Sequence, residues 1–177
     1  MASAMLAGDV GSHTTPAPVA RTITATDINP ETLAIAQSKT FPAERVRFDV
    51  ADINALAPDY RNFTAAFAGF WWSHVPRAGL RAFIESLHKA LKPGAVVVVL
   101  DNRYVEGSST PISNVDAEGN SYQRRQLANG SEHTVLKNFP TEAELVTAIG
   151  PYGTAIEYTE LDYYWLLKYD VAGIASR

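Results

Sequence analysis

The sequence predicts an α/β domain with a mainly parallel central sheet, closed at its C-terminal end by an antiparallel hairpin. Three observations predict it. The run Thr22-Ile-Thr-Ala-Thr-Asp27 is β-branched and ends in a carboxylate directly before a helix-start signal. Ala95 to Asp101 is an almost unbroken apolar run, as expected of a parallel strand covered on both faces. Strand-like and helix-like periods alternate around these two, the pattern of right-handed crossover connections.

In chain order, the first predicted strand is Thr22 to Thr26, and Asn29 caps the helix that follows. Pro30 suits its first turn and Glu31 the positive end of its dipole; the helix covers Thr32 to Ser38 and Pro42 ends the segment. Arg45 to Val50 alternates as a second strand and leads into Ala51-Asp-Ile-Asn54. Phe63 to Gly69 is short, apolar and bounded, as a buried strand should be, and it runs into the aromatic loop Phe70 to Pro76. Leu80, Phe83, Ile84, Leu87 and Leu91 share one helical face, and Lys89 and Lys92 suit the negative end of that helix. Pro93-Gly94 stops it before the strand at Ala95.

Residues 106–119 are rich in Ser, Pro and Gly and read as a loop or lid. Tyr122 to Leu127 and Glu132 to Lys137 flank Asn129-Gly130, a dipeptide that favours a tight hairpin turn. Thr141 with Glu144 forms a capping-box signal for a further helix, ended by Pro151-Tyr-Gly153. Ala155 to Leu161 and Tyr163 to Val171 form the closing antiparallel pair, with Tyr163 to Leu167 read as its buried face and an interface patch as the alternative. No internal repeat is apparent, and residues 1–177 are read as a single domain.

Composition narrows the function. With 46% hydrophobic and 19% charged residues, the chain can bury a substantial core. A net charge of -4 and scattered basic residues provide no footprint for a phosphate backbone, so nucleic acid is not an expected partner. Zero cysteines exclude disulfides and thiolate chemistry, and no His/Asp/Glu grouping has metal-ligand spacing, so no metal is expected. The first residues lack a basic leader and no apolar run reaches spanning length; no membrane partner and a cytoplasmic location are the expectations. A carboxylate closing a strand, as Asp27 does, sits where open α/β sheets receive a nucleotide ribose, although Asp beside a helix start is also a common structural cap.

Three segments together resemble the class I S-adenosylmethionine-dependent methyltransferases: Ala25 to Asn29, Phe67 to Pro76, and Leu91 to Asp101. The runs Arg124 to His133, Val135 to Phe139 and Thr141 to Leu145 are similar to bacterial small-molecule members of that group. The resemblance implies a Rossmann-like methyltransferase fold, S-adenosylmethionine as cofactor, and methyl transfer to a small-molecule acceptor. It assigns Asp27 to the cofactor's ribose, Asp52 and Ile53 to its adenine, and Gly69 and Phe70 to its methionine part. Ile28 and the glycines Gly8 and Gly11 complete the implied cofactor-binding set. Trp72, His74 and Tyr104 are the implied substrate-binding residues, with His74 also the candidate catalytic group should the acceptor have to lose a proton. A histidine that merely packs the loop is the alternative. Trp71 and Trp72 differ by one position, so one is expected in the core and one toward the site.

The departure from that family lies in residues 1–20. A strand, a glycine-rich turn and a full helix are expected there, and only Leu6 to Ser12 supplies the glycines. Pro16 and Pro18 interrupt any helix after them, and a parallel crossover needs a dozen or more residues. A truncated chain, a mis-started reading frame and a degenerate family member all fit. The same gap motivates a non-catalytic relative acting through association, and pairing of two copies is one expectation where a strand is missing from mid-sheet. A nicotinamide dehydrogenase is the weakest reading, since no proper Gly-x-Gly-x-x-Gly follows an earlier strand.

Overall fold

The computed structural model describes residues 3–10, 20–38, 45–126 and 130–173, with backbone alone for residues 3–10. Ten strands, three α-helices and three short 3-10 turns make up the regular structure of the described residues. The strands are β1 (Ser3–Val10), β2 (Ala20–Asp27), β3 (Val46–Val50), β4 (Phe63–Gly69), β5 (Leu91–Asn102), β6 (Ile112–Val115), β7 (Ser121–Gln126), β8 (Glu132–Leu136), β9 (Gly153–Glu160) and β10 (Tyr164–Val171). The helices are α1 (Pro30–Gln37), α2 (Leu80–Ala90) and α3 (Glu142–Ile149). A seven-stranded sheet has the order β3-β2-β1-β4-β5-β10-β9, and β6-β7-β8 form a separate three-stranded sheet.

Local chemistry explains the helix ends. Asn29 Oδ1 accepts from Glu31 N at 2.9 Å and Pro30 occupies the first helical turn of α1. At α3 the capping box is closed in both directions, with Thr141 N donating to Glu144 Oε2 at 2.7 Å and Glu144 N donating to Thr141 Oγ1 at 3.3 Å. The apolar faces of α2 and α3 meet the sheet in one core, where Phe83, Ile84, Leu87, Leu145 and Ile149 pack with Val97, Val99, Trp165, Leu167 and Tyr169. Along β5 the pleat alternates: Val97 and Val99 are buried, while Val96, Val98 and Leu100 on the other face are half-buried. Full burial on both faces, expected from the run of valines, is therefore met on one face alone.

β1 is the largest difference from expectation. It takes the central position between β2 and β4, yet runs antiparallel to both. Parallel pairing is confined to β2/β3 and β4/β5, so the sheet is mixed, with a smaller parallel share than the valine-rich sequence suggests. The physical reason is the connection. Residues 11–19 are too few, and too interrupted by proline, for a crossover, whereas an antiparallel return needs no helix. Part of the predicted lid is also ordered: Ile112 pairs with Gln123 and Val115 with Ser121, making β6 an edge strand. The hairpin expected around Gly130 is present, with Gln126 opposite Glu132 and Gly130 at φ +83°. Asn129 and Pro42 lie outside the described residues.

Candidate functional site

Four parallel strands end together at one edge of the large sheet. Asp27 is in register with Val50, and Gly69 with Leu100. The reversed β1 begins at the same edge, with Ser3 opposite Gly69, and β10 starts there with Tyr164 opposite Asn102. This is the edge where an open α/β sheet receives its ligand.

A cavity of about 120 Å³ opens at this edge, lined by Asp27, Ile28, Asp52, Ile53, Asn54 and Trp71 among others. Its walls carry two carboxylates and exposed apolar surface. Asp27 is 4% exposed, and its Oδ1 accepts from Asn29 N at 2.8 Å, which fixes the carboxylate against the start of α1. Asp52 Oδ1 accepts from Asn54 N at 2.9 Å and from Asn54 Nδ2 at 3.0 Å, holding the short 3-10 turn Ile53–Ala55. Ile28 is 67% exposed, an isoleucine presented to solvent at the cavity wall. Carboxylates for hydroxyl groups beside apolar side chains for a flat ring suit a nucleoside, and the volume suits part of a larger molecule.

The loop after β4 lines this cavity through Trp71. Phe70 has φ 55°, a left-handed conformation that costs a non-glycine residue about 1–3 kcal/mol, and its N donates to Leu100 O at 2.8 Å. Its ring meets Tyr164 edge-on at 5.8 Å, whereas the next residue, Trp71, stacks on Phe83 at 4.2 Å and lines the Asp27 cavity. Trp72 is 2% exposed and sits in the core, perpendicular to Phe83 and Trp165.

The loop is held by a buried polar network that ties it to β5 and to the small sheet. Ser73 N donates to Asp101 Oδ2 at 2.8 Å and Ser73 Oγ to Asp101 Oδ1 at 2.9 Å. Lys137 Nζ donates to Ser73 Oγ at 2.6 Å, Asn102 Oδ1 at 2.9 Å and Asp101 Oδ1 at 3.3 Å, which uses all three ammonium protons. Asn138 continues the network, its N donating to Ser73 O at 2.8 Å and its Nδ2 to Val75 O at 3.0 Å. His74 Nδ1 donates to Leu136 O at 2.8 Å, so the proton sits on Nδ1 and Nε2 keeps a lone pair. Burial, and next the charge of Lys137, push the His74 pKa below the ordinary histidine value. Burial likewise lowers the Lys137 pKa, against the opposing pull of Asp101.

The second cavity, of about 260 Å³, lies under the small sheet and is lined by Asn102, Arg103, Gln123, Arg125, Lys137 and Tyr164 among others. It is the more polar of the two. Trp71 lines the first cavity, and its chain neighbour Phe70 meets the ring of Tyr164, a wall residue of the second, so one loop touches the first chamber directly and the second through Tyr164.

Four of the expected cofactor-binding residues, Asp27, Ile28, Asp52 and Ile53, come together in one cavity wall. Gly69 ends β4 at the same edge, with Phe70 beside it. Gly8 does not join them: it lies within β1 opposite Thr22, toward the far end of β2 from Asp27, because β1 runs in reverse. Gly11 lies outside the described residues. Trp72 belongs to the core and Trp71 to the site, the reverse of the expected assignment to substrate, because the 3-10 turn Trp72–His74 buries the second ring. His74 anchors the loop to β8 and lines neither of these two cavities; Tyr104 packs edge-on against Phe139 at 5.3 Å, behind the second one. Sequence reasoning missed Lys137, Ser73 and Asp101 as a unit. A strand-ending Asp and an aromatic loop were visible, but nothing in Val135-Leu-Lys-Asn138 marks its lysine as buried.

Residues 7–94 match a family model described as a methyltransferase domain. No curated protein matches the chain. Among solved structures, a complex of DhpI with SAH is 26% identical over 88% of this chain and 69% of that one, with a TM-score of 0.69. A DhpI complex with SAM and HEP is 28% identical, covering 86% of this chain and 70% of that one, with a TM-score of 0.68. An S-adenosylmethionine-dependent methyltransferase of Methanosarcina mazei is 18% identical over 84% and 81% of the two chains, with a TM-score of 0.60, a likeness of fold.

Proposed function

We propose that this chain, which belongs to the class I S-adenosylmethionine-dependent methyltransferases, transfers a methyl group to a small-molecule acceptor by in-line displacement. The observation that carries the reading is the convergence of Asp27, Ile28, Asp52 and Ile53 on one cavity at the carboxyl edge of the sheet. In it, the Asp27 carboxylate takes the ribose hydroxyls of S-adenosylmethionine, and Asp52, Ile53 and Ile28 hold the adenine. The residues fit that half of the cofactor. For the methionine half, no glycine-rich turn stands at this edge among the described residues, so Gly69 and Phe70 are the groups left to border it.

When bound, S-adenosylmethionine supplies an electrophilic methyl on a sulfonium: the acceptor's lone pair forms the new bond while the carbon-sulfur pair returns to sulfur. The chain's contribution is placement and exclusion of water. Trp71 lines the cofactor cavity and Phe70 meets Tyr164 of the second chamber's wall, and the Ser73-Asp101-Lys137 network fixes the loop that carries both. His74, neutral and with Nε2 open, serves an acceptor that must release a proton only if the loop brings it there; its bond to Leu136 supports a positioning role.

Incubating the chain with methyl-labelled S-adenosylmethionine and a fractionated cell extract tests the proposal. Label is expected in the low-molecular-weight fraction. Label confined to protein or nucleic acid would rule out the small-molecule acceptor. Failure to bind cofactor would favour a non-catalytic role by association, the reading that the reversed β1 supports through its displaced glycine.

A further inference from the structure

The second cavity is asymmetric in charge. Its wall includes Arg103, Arg125 and Lys137, and no carboxylate is among its described lining residues. Two of the three cations are already paired: Lys137 with Asp101 at 3.3 Å, and Arg103 with Glu160 at 2.8 Å, both acids standing outside the cavity wall. Arg125 differs. It forms no ion pair with a described residue, and its guanidinium reaches Gln123 Oε1 at 3.4 Å. Burial is the main cause of the lowered Lys137 pKa, and the Arg125 charge adds to it in the same direction. A cavity with one exposed guanidinium free of ion pairs among the described residues, no carboxylate in its described wall, and hydroxyl and amide groups such as Ser108 and Gln123 around it offers donors and positive charge to an anion.

We propose that this chamber is the acceptor pocket and that it takes a small molecule bearing an oxyanion, phosphoryl, phosphonyl or carboxyl, with Arg125 as the group that recognises it. The inference rests on the methyltransferase reading for the word acceptor, and on the chamber alone for the anion. Lys137 has no free proton to donate, so it contributes field, while Arg125 donates directly through its planar fork. The contact of Phe70 with Tyr164, a wall residue of this chamber, connects it to the loop whose Trp71 lines the cofactor cavity. An acceptor anchored by its negative end presents its other end, or the oxyanion itself, to that loop.

The test is a titration of the intact chain with inorganic phosphate, methylphosphonate and acetate in separate arms, at constant ionic strength set with potassium chloride, followed through the arginine Nε-Hε resonances. A saturable shift of the Arg125 signal is expected, with binding about tenfold weaker or lost in Arg125→Gln. The stronger arm identifies a phosphorus or a carbon oxyanion. No saturable shift in any arm, or equal binding by Arg125→Gln, overturns the proposal. Titrating the same samples with S-adenosylhomocysteine separates the two readings: cofactor binding without anion binding removes this inference and leaves the methyltransferase reading standing.

Discussion

Lys137 and Asp101 form an ion pair of 3.3 Å across the junction of the two sheets, with side chains only 4% and 0% exposed. One sits directly after β8 and the other near the end of β5, so the pair docks the small sheet onto the edge where both cavities open. Removing one member strands a charge in the interior. Lys137→Met is expected to lower the unfolding free energy by about 3–5 kcal/mol in urea titration, and Asp101→Asn by a comparable amount. The double variant should lose less than the sum of the two, because neither charge is then left unpaired.

The two adjacent tryptophans separate stability from binding. Trp72→Ala opens a hole beside Phe83 and Trp165 and is expected to cost about 3–5 kcal/mol. Trp71→Phe keeps an aromatic ring on Phe83, so it should unfold near the parent's midpoint while weakening S-adenosylhomocysteine severalfold. Calorimetry on the two variants reads both quantities.

Acid sensitivity should trace to His88. Burial holds its pKa at about 4, and its Nε2 shares a hydrogen bond of 2.9 Å with the Tyr169 hydroxyl. The folded pKa is below the ordinary 6.5, so the unfolded chain binds the extra proton first: the contribution is fully present above about pH 6.5 and is lost as pH falls through 6.5 toward 4. Between pH 7 and 5 the loss is about 1–2 kcal/mol after allowance for partial solvent screening. Urea midpoints for the parent and His88→Gln across that range should converge at pH 5 if the assignment is right, and run parallel if it is wrong.

Most of the fold was legible because local signals agreed with one another. The Asn29 and Thr141 caps, the α2 face and the valine run each mark an element whose packing merely completes it. Asp27, which ends β2, and Asp52, two residues past the end of β3, were legible for the same reason, since an acid at or just beyond a strand end lies at the sheet edge whatever its neighbours do. What the sequence hid was long-range. The direction of β1 depends on how far residues 11–19 can reach, and the burial of Lys137 depends on three acceptors from β5 and the loop after β4. The choice between Trp71 and Trp72 turned on a short 3-10 turn that no periodicity announces.

The central claim is that Asp27 grips a ribose, and isothermal titration of S-adenosylhomocysteine into the parent chain and Asp27→Asn tests it most directly. Asparagine keeps an oxygen acceptor for Asn29 N, while it removes the charge and turns the second carboxylate oxygen into an NH2 donor. One-site binding by the parent is expected, weakened by about ten- to hundredfold in the variant with little change in unfolding midpoint. Equal affinity in the two proteins, or no heat from the parent at millimolar ligand, would contradict it.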